Sequence, residues 1–436
     1  MSLEKKIFLY YKKNKIRGID NSLSSICHFS SSTSALGYNM LRYWKKERLS
    51  LYKFIISFLK HFLSIGYQSK FLLIKQKKNF NYTKLILTWA YKKNFLKNGS
   101  LEDRYFNYNS KRKNNFLWLV LYLDKELPKK INKNIIIYKV NKTPFDTFYL
   151  IKFFFSTLVK TNFNLLKLIH YLSSGSNLAM NFVNSIKHQI DFKNIKSVIT
   201  PFEGQPFQQY FFKFLQKNYK SINTVGYLSH THPLQYDIFF REGSPKKLLT
   251  HSKDQKQYIQ SKLGWSKKRV KLISSMRFFK GKNKKQILNK ILFPYDFRNG
   301  HIILSNFEKF LISAKNKSLP KIGVKIHPAP YSLSKQKKLQ NAIINLIKLY
   351  SKKFSKKSKK KICIVFGLSS SVTFALEQKI DVIHIVDESY FESFNKDYWP
   401  NICTEKLSNN VLFYKLKKAN KCILFGKQKR NLEKNF

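Results

Sequence analysis

Residues 116–122 have the sequence FLWLVLY, and residues 134–140 have the sequence NIIIYKV. Each is a short apolar run between polar stretches, which is typical of a strand buried on both faces of a parallel sheet. Further strands are predicted at residues 197–200 (SVIT) and 224–228 (TVGYL). A long helical stretch precedes these two strands, and a helix at residues 205–220 separates them. Alternation of strand and helix at this spacing predicts a doubly wound α/β sheet.

A second alternating unit is predicted to begin near residue 270. Its predicted strands are residues 270–273, 301–304, 322–326, 362–366 and 382–386, and its helices include residues 306–316 and 333–350. Two such units in tandem predict two α/β domains whose parallel sheets face one another across a cleft. Because ligands of open α/β sheets bind at the carboxyl ends of the strands, we expect a ligand in this cleft.

The predicted organisation has three parts within the 436 residues of the chain. Residues 1–110 are predicted as a mostly helical N-terminal region, which is either part of the first domain or appended to it. Residues 111–268 form an N-terminal α/β domain, and residues 269–436 form a C-terminal α/β domain. A chain of this length is sufficient for two or three domains with sizeable cores.

The chain is strongly basic, with 83 Lys and Arg against 23 Asp and Glu and a formal net charge of +60 at pH 7. Lys, Asn, Phe, Tyr and Ile are abundant together, and their codons are rich in A and T, so genome composition accounts for the larger part of this charge. The rest indicates an anionic partner, which is a nucleic acid, an anionic membrane face or a phosphate-bearing substrate. Hydrophobic residues make up 43% of the sequence, which excludes a disordered polycation.

Cysteine usage and the distribution of apolar residues predict a cytoplasmic protein. The four cysteines form no C-x-x-C pair and are too few for a disulfide scaffold. No stretch of 18 residues is both uncharged and predominantly apolar, so no membrane span is predicted. Residues 50–67 and 145–172 are long and apolar but contain lysines. Such helices either lie on an anionic membrane surface or pack in the core with their lysines in water.

Several nucleotide and metal motifs are absent from the sequence. There is no G-x-x-x-x-G-K-[ST] and no G-x-G-x-x-G, so neither a P-loop nor a dinucleotide site is expected. No Asp-x-Asp occurs, which removes the usual metal clamp on a nucleotide diphosphate, and no His/Cys cluster suggests zinc. We therefore expect no cofactor and no metal.

The first of three polar segments at predicted strand ends is residues 200–207, TPFEGQPF. Glu203 leaves the strand beside a glycine and is the only acidic residue between Asp191 and Asp237. A lone Glu on a loop is usually solvated, but this position favours presentation of the carboxylate to the cleft.

The second segment is residues 325–330, KIHPAP. Pro328 disfavours helix at the preceding His327, so the imidazole is expected just past the strand end. There it can donate a hydrogen bond to a phosphate, while Lys325 adds positive charge. The alternative is a histidine packed beneath a loop.

The third segment is residues 366–377, FGLSSSVTFALE, in which Ser369, Ser370 and Ser371 open a helix. Free backbone N–H groups, the helix dipole and the hydroxyls together make an anion site. Glu377 lies seven residues after Ser370 on the same helix face, where it can receive ribose hydroxyls. The alternative is ordinary N-capping by serine.

The order of these segments is acid-Gly, then His-Pro, then Ser-Ser at a helix start. It resembles the order in bacterial sialyltransferases and polysialyltransferases. It is also similar to the wider set of two-domain (GT-B) surface-carbohydrate transferases, including CDP-glycerol glycerophosphotransferases and capsule Kdo transferases. The resemblance covers roughly residues 115–425 and rests on short motifs. It implies a GT-B-like fold with an acceptor-side N-terminal domain and a C-terminal domain that binds a nucleotide-sugar.

The resemblance also implies roles for the candidate residues. Glu203 is the general base, although Phe202 stands where the sialyltransferases have a further acid. His327 contacts the nucleotide phosphate, and the serines at 369–371 cradle it. Residues 225–233, VGYLSHTHP, resemble the region that follows the acidic motif in surface-carbohydrate transferases.

By the same resemblance, His230 and His232 flank the cleft as further catalytic candidates, and Arg277 lies near the crossing between the domains. The alternative for these three residues is a histidine-bearing surface loop and a solvated arginine.

The sequence therefore predicts a cytoplasmic glycosyltransferase, for which peripheral contact with the inner face of the cytoplasmic membrane is an additional option. It moves a sugar from a nucleotide-sugar donor, with CMP-linked donors among the candidates, to a surface polysaccharide or lipid-linked glycan. The transfer is expected to be inverting and independent of metal. The first alternative is a polyol-phosphate transferase of the CDP-glycerol type. The second is a basic nucleic-acid-binding protein, which rests on charge alone because the sequence has no helix-turn-helix, RRM or zinc signature.

Overall fold

The computed structural model contains two large sheets flanked by helices. It describes residues 62–73, 82–110, 116–160, 174–231, 238–278, 287–297, 299–328, 332–386 and 393–417, with positions 56, 59, 162, 163, 172, 233, 330, 424 and 425. Across this part of the chain the architecture is mixed α/β, with two mainly parallel sheets, so the predicted pair of Rossmann-like units is confirmed.

The first sheet is built from strands between residues 67 and 272. In chain order the strands of this half are β1 (Tyr67–Leu73), β2 (Lys84–Ala90), β3 (Glu102–Asp103), β4 (Tyr108–Asn109), β5 (Phe116–Tyr122), β6 (Ile135–Phe145), β7 (Ser197–Pro201), β8 (Asn223–Tyr227), β9 (Lys247–Thr250) and β10 (Val270–Leu272). Within the described residues the sheet order is β1-β6-β5-β2-β7-β8-β9-β10, and β3 and β4 form a separate hairpin. Every pairing described in this sheet is parallel except that of β1 with β6.

The central strands of the first sheet are buried on both faces. All seven residues of β5 and all five of β7 are buried. Alternate residues along β2 enter different apolar clusters: Leu85 and Leu87 belong to one, and Ile86 belongs to the other. Both faces of a parallel sheet are covered by other elements, which is why these strands are continuous apolar runs.

The second sheet follows in the C-terminal half. Its strands and the associated short pair are β11 (Lys290–Leu292), β12 (Leu319–Pro320), β13 (Gly323–Lys325), β14 (Phe354–Ser355), β15 (Ile362–Phe366), β16 (Asp381–Ile385), β17 (Ile402–Ser408) and β18 (Val411–Leu416). The described strands of the main sheet have the order β13-β11-β15-β16-β18-β17, and β12 pairs with β14. The first four are parallel, whereas β18 and β17 are antiparallel additions.

Helices connect the strands and cover the two sheets. Those described are α1 (Thr147–Lys160), α2 (Ser174–Lys187), α3 (Pro206–Asn218), α4 (Lys253–Lys262), α5 (Gly300–Ser313), α6 (Leu333–Leu349) and α7 (Ser371–Glu377). Among the residues in these ranges and the rest of the described chain, no helix is long and apolar enough to cross a membrane.

Several predicted elements are confirmed. The strands predicted at residues 116–122 and 362–366 have the observed bounds. The strand predicted at 197–200 ends one residue later, and those predicted at 224–228 and 382–386 lie one residue earlier in the chain. The helices predicted at 205–220 and 333–350 correspond to α3 and α6.

The strand predicted at residues 301–304 is wrong, because these residues lie in the first turns of α5. The side chain of Asn299 accepts hydrogen bonds from the backbone N–H groups of His301 (3.1 Å) and Ile302 (3.3 Å), which caps the helix. The buried positions 303, 307, 310 and 311 have helical spacing. The apolar run therefore continues as one face of a helix.

The strand at residues 270–273 exists, but it does not belong to the second unit as predicted. Val270–Leu272 pairs in parallel with Leu248–Thr250 of β9, so β10 is the edge strand of the first sheet. The second sheet begins at β11. The mostly helical character predicted for residues 1–110 is also wrong for residues 67–109, which contain β1 to β4. Strand β2 lies between β5 and β7 near the centre of the first sheet.

Candidate active site

The predicted site residues follow strands that end at the same edge of their sheet. Strands β7, β8, β9 and β10 are parallel neighbours, so the loops after them meet at one edge. Glu203 follows β7, His230 follows β8 and Arg277 follows β10. In the second sheet, His327 follows β13 and Ser369 follows β15, again at one carboxyl edge. Ligands of α/β proteins bind at such edges.

The loop that carries Glu203 is fixed by the side chain of Gln208 on α3. The Gln208 Oε1 atom accepts hydrogen bonds from the backbone N–H groups of Glu203 (2.9 Å) and Gln205 (3.2 Å). Its Nε2 donates to the backbone oxygen of Pro201 at 2.5 Å. Gly204 has φ 69°, a left-handed conformation that glycine adopts without a Cβ penalty. The backbone around Glu203 is therefore held in one position.

The carboxylate of Glu203 is partly exposed and oriented by its neighbours. Its side chain is 31% exposed, and Oε1 lies 3.9 Å from His230 Nδ1. Oε2 accepts a hydrogen bond from Gln205 Nε2 at 2.7 Å. Burial raises the pKa of Glu203, while the Gln205 hydrogen bond and the positive charge of Arg277 act in the opposite direction. The net effect is a carboxylate more basic than an ordinary glutamate.

The loop after β8 connects Glu203 to the second sheet. The backbone oxygen of His230 accepts a hydrogen bond from Gln255 Nε2 on α4 at 3.0 Å. The next residue, Thr231, donates its backbone N–H to Ser370 Oγ at 3.3 Å, and its hydroxyl hydrogen-bonds that of Thr373. Glu203, His230 and the serine segment are therefore brought together across the two sheets.

The serine segment makes contacts within the protein. Ser369 Oγ accepts a hydrogen bond from the backbone N–H of Ser371 at 3.1 Å, a local serine turn just before α7. The N-cap residue of α7, Ser370, makes no side-chain capping hydrogen bond. The hydroxyl of Ser370 contacts Thr231, as described above, and its backbone oxygen accepts a hydrogen bond from the Thr373 hydroxyl. All three serines are half-buried. Their contact with a nucleotide phosphate stays a prediction.

The segment around His327 lies at the edge of the second sheet. The backbone N–H of His327 donates to Gln336 Oε1 at 3.0 Å, and Gln336 Nε2 donates to the backbone oxygen of Pro294 at 2.6 Å. Gln336 thus ties the ends of β13 and β11 together. The half-buried His327 ring packs edge-on against Tyr295, with a centroid distance of 5.6 Å. Lys325 and Pro328 are exposed.

The positions of His327 and the serines suit one ligand that touches both. Strand β11 lies between β13 and β15, so the two loops are two strand spacings apart. Neighbouring strands are about 4.8 Å apart, which gives a separation of about 10 Å between the strand ends. A nucleotide phosphate with its sugar or base spans such a distance.

The carboxylate of Glu377 is engaged within the protein. Both carboxylate oxygens of Glu377 accept hydrogen bonds from backbone N–H groups, Oε1 from Leu424 at 2.8 Å and Oε2 from Phe425 at 3.2 Å. In this structure the side chain therefore anchors a later part of the chain, and its contact with a ribose stays a prediction. His232 lies outside the described residues.

The sequence did not predict two further residues, Tyr105 and His251, whose pKa values are affected by Arg277. Burial, chiefly, and the charge of Glu203 raise the pKa of the half-buried Tyr105, and Arg277 acts against them. Burial, with a smaller effect of Arg277, lowers the pKa of the fully buried His251 to about 3, so this ring is neutral. His251 follows β9, a strand of four residues, which is too short to show a hydrophobic pattern in the sequence. Arg277 itself is exposed, and its charge acts on all three side chains.

The two halves also share contacts away from these loops. Trp399 Nε1 donates to the backbone oxygen of Pro233 at 2.8 Å. The backbone N–H of Asn401 donates to Asp254 Oδ2 at 2.9 Å. The rings of Tyr258 and Tyr398 are 4.9 Å apart. These contacts join the two halves in addition to the contact of Thr231 with Ser370.

Within the described ranges, no group of three or more His, Cys, Asp and Glu side chains is placed to hold a metal ion. Metal independence nevertheless stays a prediction, since an activity measurement is needed to test it.

Comparison with known proteins leaves the family open. No family model matches the sequence, and no curated protein matches it. Among solved structures, the chain is similar to an alpha,alpha-trehalose 6-phosphate synthase from Burkholderia multivorans, with 9% sequence identity, coverage of 73% of this chain and 88% of that chain, and a TM-score of 0.36. The fold assignment rests on the sheet topology described above.

Proposed function

We propose that the protein is a glycosyltransferase that uses a nucleotide-sugar donor. The observation that carries this proposal is the contact between the loop after β8 of the first sheet and the loop after β15 of the second. Glu203 lies 3.9 Å from His230, and the residue after His230 is hydrogen-bonded to Ser370. A partly exposed carboxylate of raised pKa on one sheet thus lies near polar groups at a strand end of the other.

Glu203 acts as the general base in the proposed reaction. Its carboxylate accepts the proton from an acceptor hydroxyl, whose oxygen attacks the anomeric carbon of the donor sugar. A base with a raised pKa is better matched to this task near neutral pH than an ordinary glutamate. Gln205 Nε2 donates a hydrogen bond to Oε2 at 2.7 Å and so fixes the orientation of the carboxylate. His230 Nδ1 lies 3.9 Å from Oε1, which makes His230 the second candidate for the group that accepts the proton.

The second sheet stabilises the leaving group in this proposal. The bond between the anomeric carbon and the nucleotide phosphate breaks, and the phosphate leaves with the bonding electrons and its negative charge. His327 and Lys325 at the end of β13, with the serines at 369–371, supply donors and positive charge to it. Attack opposite the leaving group in a single displacement inverts the anomeric configuration, and no metal takes part.

The proposal also includes the donor and the acceptor. CMP-linked sugars are among the candidate donors, and the acceptor is a surface polysaccharide or a lipid-linked glycan at the inner face of the cytoplasmic membrane. A polyol-phosphate transferase of the CDP-glycerol type is the alternative. There the acceptor attacks phosphorus instead of a sugar carbon, so the group transferred carries a phosphate.

Nucleotide binding is tested by thermal unfolding in the presence of EDTA, with CMP, CDP, UDP, GDP and their sugars. A ligand at about a hundred times its dissociation constant should stabilise the fold by about 2.7 kcal/mol. We expect one nucleotide family to raise Tm in EDTA. The proposal is contradicted if no nucleotide does so, and metal independence is contradicted if the rise requires added magnesium or manganese. Random DNA, added at physiological salt, tests the alternative that the protein binds nucleic acid through its positive charge.

The pH dependence of turnover tests the environment of Glu203. The base must be ionised, so turnover rises with pH through the raised pKa of Glu203. Arg277 lowers that pKa through its charge. Arg277→Met should therefore move the acidic limb of the turnover profile to higher pH.

Arg269→Met is the matched control, because Arg269 precedes the same strand β10 at its other end, over the ring of Phe240. Its profile should follow that of the unmodified protein. An acidic limb that stays in place in Arg277→Met contradicts the assignment of Arg277 as the cation that acts on Glu203.

A further inference from the structure

Helix α1 (Thr147–Lys160) carries a row of exposed apolar side chains. Phe148, Ile151, Phe155 and Val159 are 77%, 49%, 58% and 65% exposed. Their spacing of three and four residues places them in one stripe along the helix, which we name the α1 face. Single exposed apolar residues are ordinary, whereas a contiguous apolar stripe on a surface marks a site of interaction.

The opposite side of α1 is anchored in a small core. Leu150 and Phe153 are buried together with Ile65 and Leu172 in one apolar cluster. The ring of Phe154 packs edge-on against that of Phe62, with a centroid distance of 5.8 Å. The helix is therefore positioned by its inner side, and the side chains of the α1 face contribute little to the fold.

Exposed apolar groups continue beyond both ends of the helix. Phe145, two residues before α1, is 41% exposed and packs against the 48% exposed Tyr67 at a centroid distance of 5.1 Å. Phe163, three residues after the helix, is 72% exposed. The apolar surface is thus longer than the helix itself.

The charged residues of helix α1 itself are all basic. The sequence of α1, TFYLIKFFFSTLVK, contains two lysines and no acidic residue. Lys152 is exposed on the helix. The preceding Asp146 accepts a hydrogen bond from the backbone N–H of Tyr149 at 2.8 Å, so its carboxylate is used at the helix start. With a formal net charge of +60 on the chain, this surface is complementary to an anionic one.

We propose that the α1 face docks on the surface of an anionic lipid bilayer. Apolar side chains flanked by lysines on a helix are the combination that binds the headgroup region, because the side chains enter the acyl boundary while the lysines meet anionic headgroups. A helix of 14 residues is about 21 Å long, shorter than the hydrocarbon core of about 30 Å. It therefore lies in the plane of the interface.

The path of β6 locates this contact relative to the sheet. Lys139 of β6 pairs with Tyr122, the last residue of β5, and β6 then continues to Phe145 alongside β1 alone. Helix α1 therefore starts beyond the carboxyl edge of the first sheet, the edge at which Glu203 lies. The lipid contact stands whether or not the proposed transferase activity is correct.

Vesicle flotation of the full chain tests the contact, with phosphatidylcholine vesicles and with vesicles that also contain phosphatidylglycerol. The unmodified protein should float with the anionic vesicles. The double variant Phe148→Asn, Phe155→Asn should lower the partition coefficient by about tenfold or more, because two apolar side chains no longer leave water. Lys152→Gln should lower it on the anionic vesicles only.

Leu349→Asn is the matched control, since Leu349 is 71% exposed on α6 in the other half of the molecule. It should float like the unmodified protein. Circular dichroism melting checks that the double variant is folded, and Val159→Asn alone replaces it if it is not.

Three outcomes overturn the proposal. The first is an unmodified protein that does not float with anionic vesicles. The second is equal flotation of the Leu349 variant and the α1 variants. The third is self-association in solution that the double variant abolishes, without flotation of the unmodified protein, which would assign the α1 face to a second copy of the chain.

Discussion

Glu203→Gln should lower turnover by about 10²–10⁴-fold while donor affinity stays nearly unchanged. Glutamine keeps the size of the side chain, and its amide oxygen can still accept the hydrogen bond that Gln205 Nε2 gives to Oε2. The substitution removes the basic oxygen that takes the acceptor proton. Turnover and donor binding are therefore measured separately, by initial rates and by calorimetry.

Glu242→Gln is the control for this substitution, because the side chain of Glu242 is 64% exposed and paired with Lys213 at 3.1 Å. Its turnover should match that of the unmodified protein. Normal turnover in Glu203→Gln would show that another group is the base. His230 would then be the next candidate, followed by His232.

His327→Ala should weaken nucleotide binding by roughly 1.5–3 kcal/mol, about tenfold to a hundredfold in Kd, because one charge-assisted hydrogen bond to phosphate is lost. The loop itself should survive, since it is the backbone N–H of His327 that donates to Gln336. The half-buried ring leaves no large cavity when it is removed. Calorimetric titration of the nucleotide found in the thermal screen measures the change.

His301→Ala is the matched control in the same half of the molecule, where His301 is exposed in the first turn of α5. Its Kd should be unchanged. An unchanged Kd in His327→Ala as well would remove His327 from the nucleotide site and leave a ring packed against Tyr295 as its role.

The sequence predicted the long, doubly buried strands well and the short ones poorly. Strand β5 is seven buried residues in a row, so its pattern is visible without its neighbours. Strands β9 and β11 have four and three residues, too few for a periodicity, and only pairing with neighbouring strands reveals them. Strand β2 was missed within a region predicted as mostly helical. The run at residues 301–304 became helix because Asn299 caps it.

The sequence could predict those site residues that directly follow the carboxyl end of a strand. Glu203 and His230 come together because β7 and β8 are parallel neighbours, whose following loops lie at one edge of the first sheet. Thr231, the residue after His230, contacts Ser370 at a strand end of the second sheet. Contacts that do not follow from the order of the strands in a sheet were not predictable. The carboxylate of Glu377 is bonded to the backbone of residues 424 and 425, and Tyr105 reaches the surroundings of Glu203 from the hairpin of β3 and β4.

Product analysis tests glycosyl transfer most directly. The protein is incubated in EDTA with the nucleotide-sugar that stabilises it and with oligosaccharide acceptors, and the reaction is followed by NMR and mass spectrometry. We expect one nucleotide released for each new glycosidic bond, an inverted anomeric configuration, and loss of both signals in Glu203→Gln. No donor consumption by the unmodified protein, or transfer of a polyol phosphate in place of a sugar, would contradict the assignment.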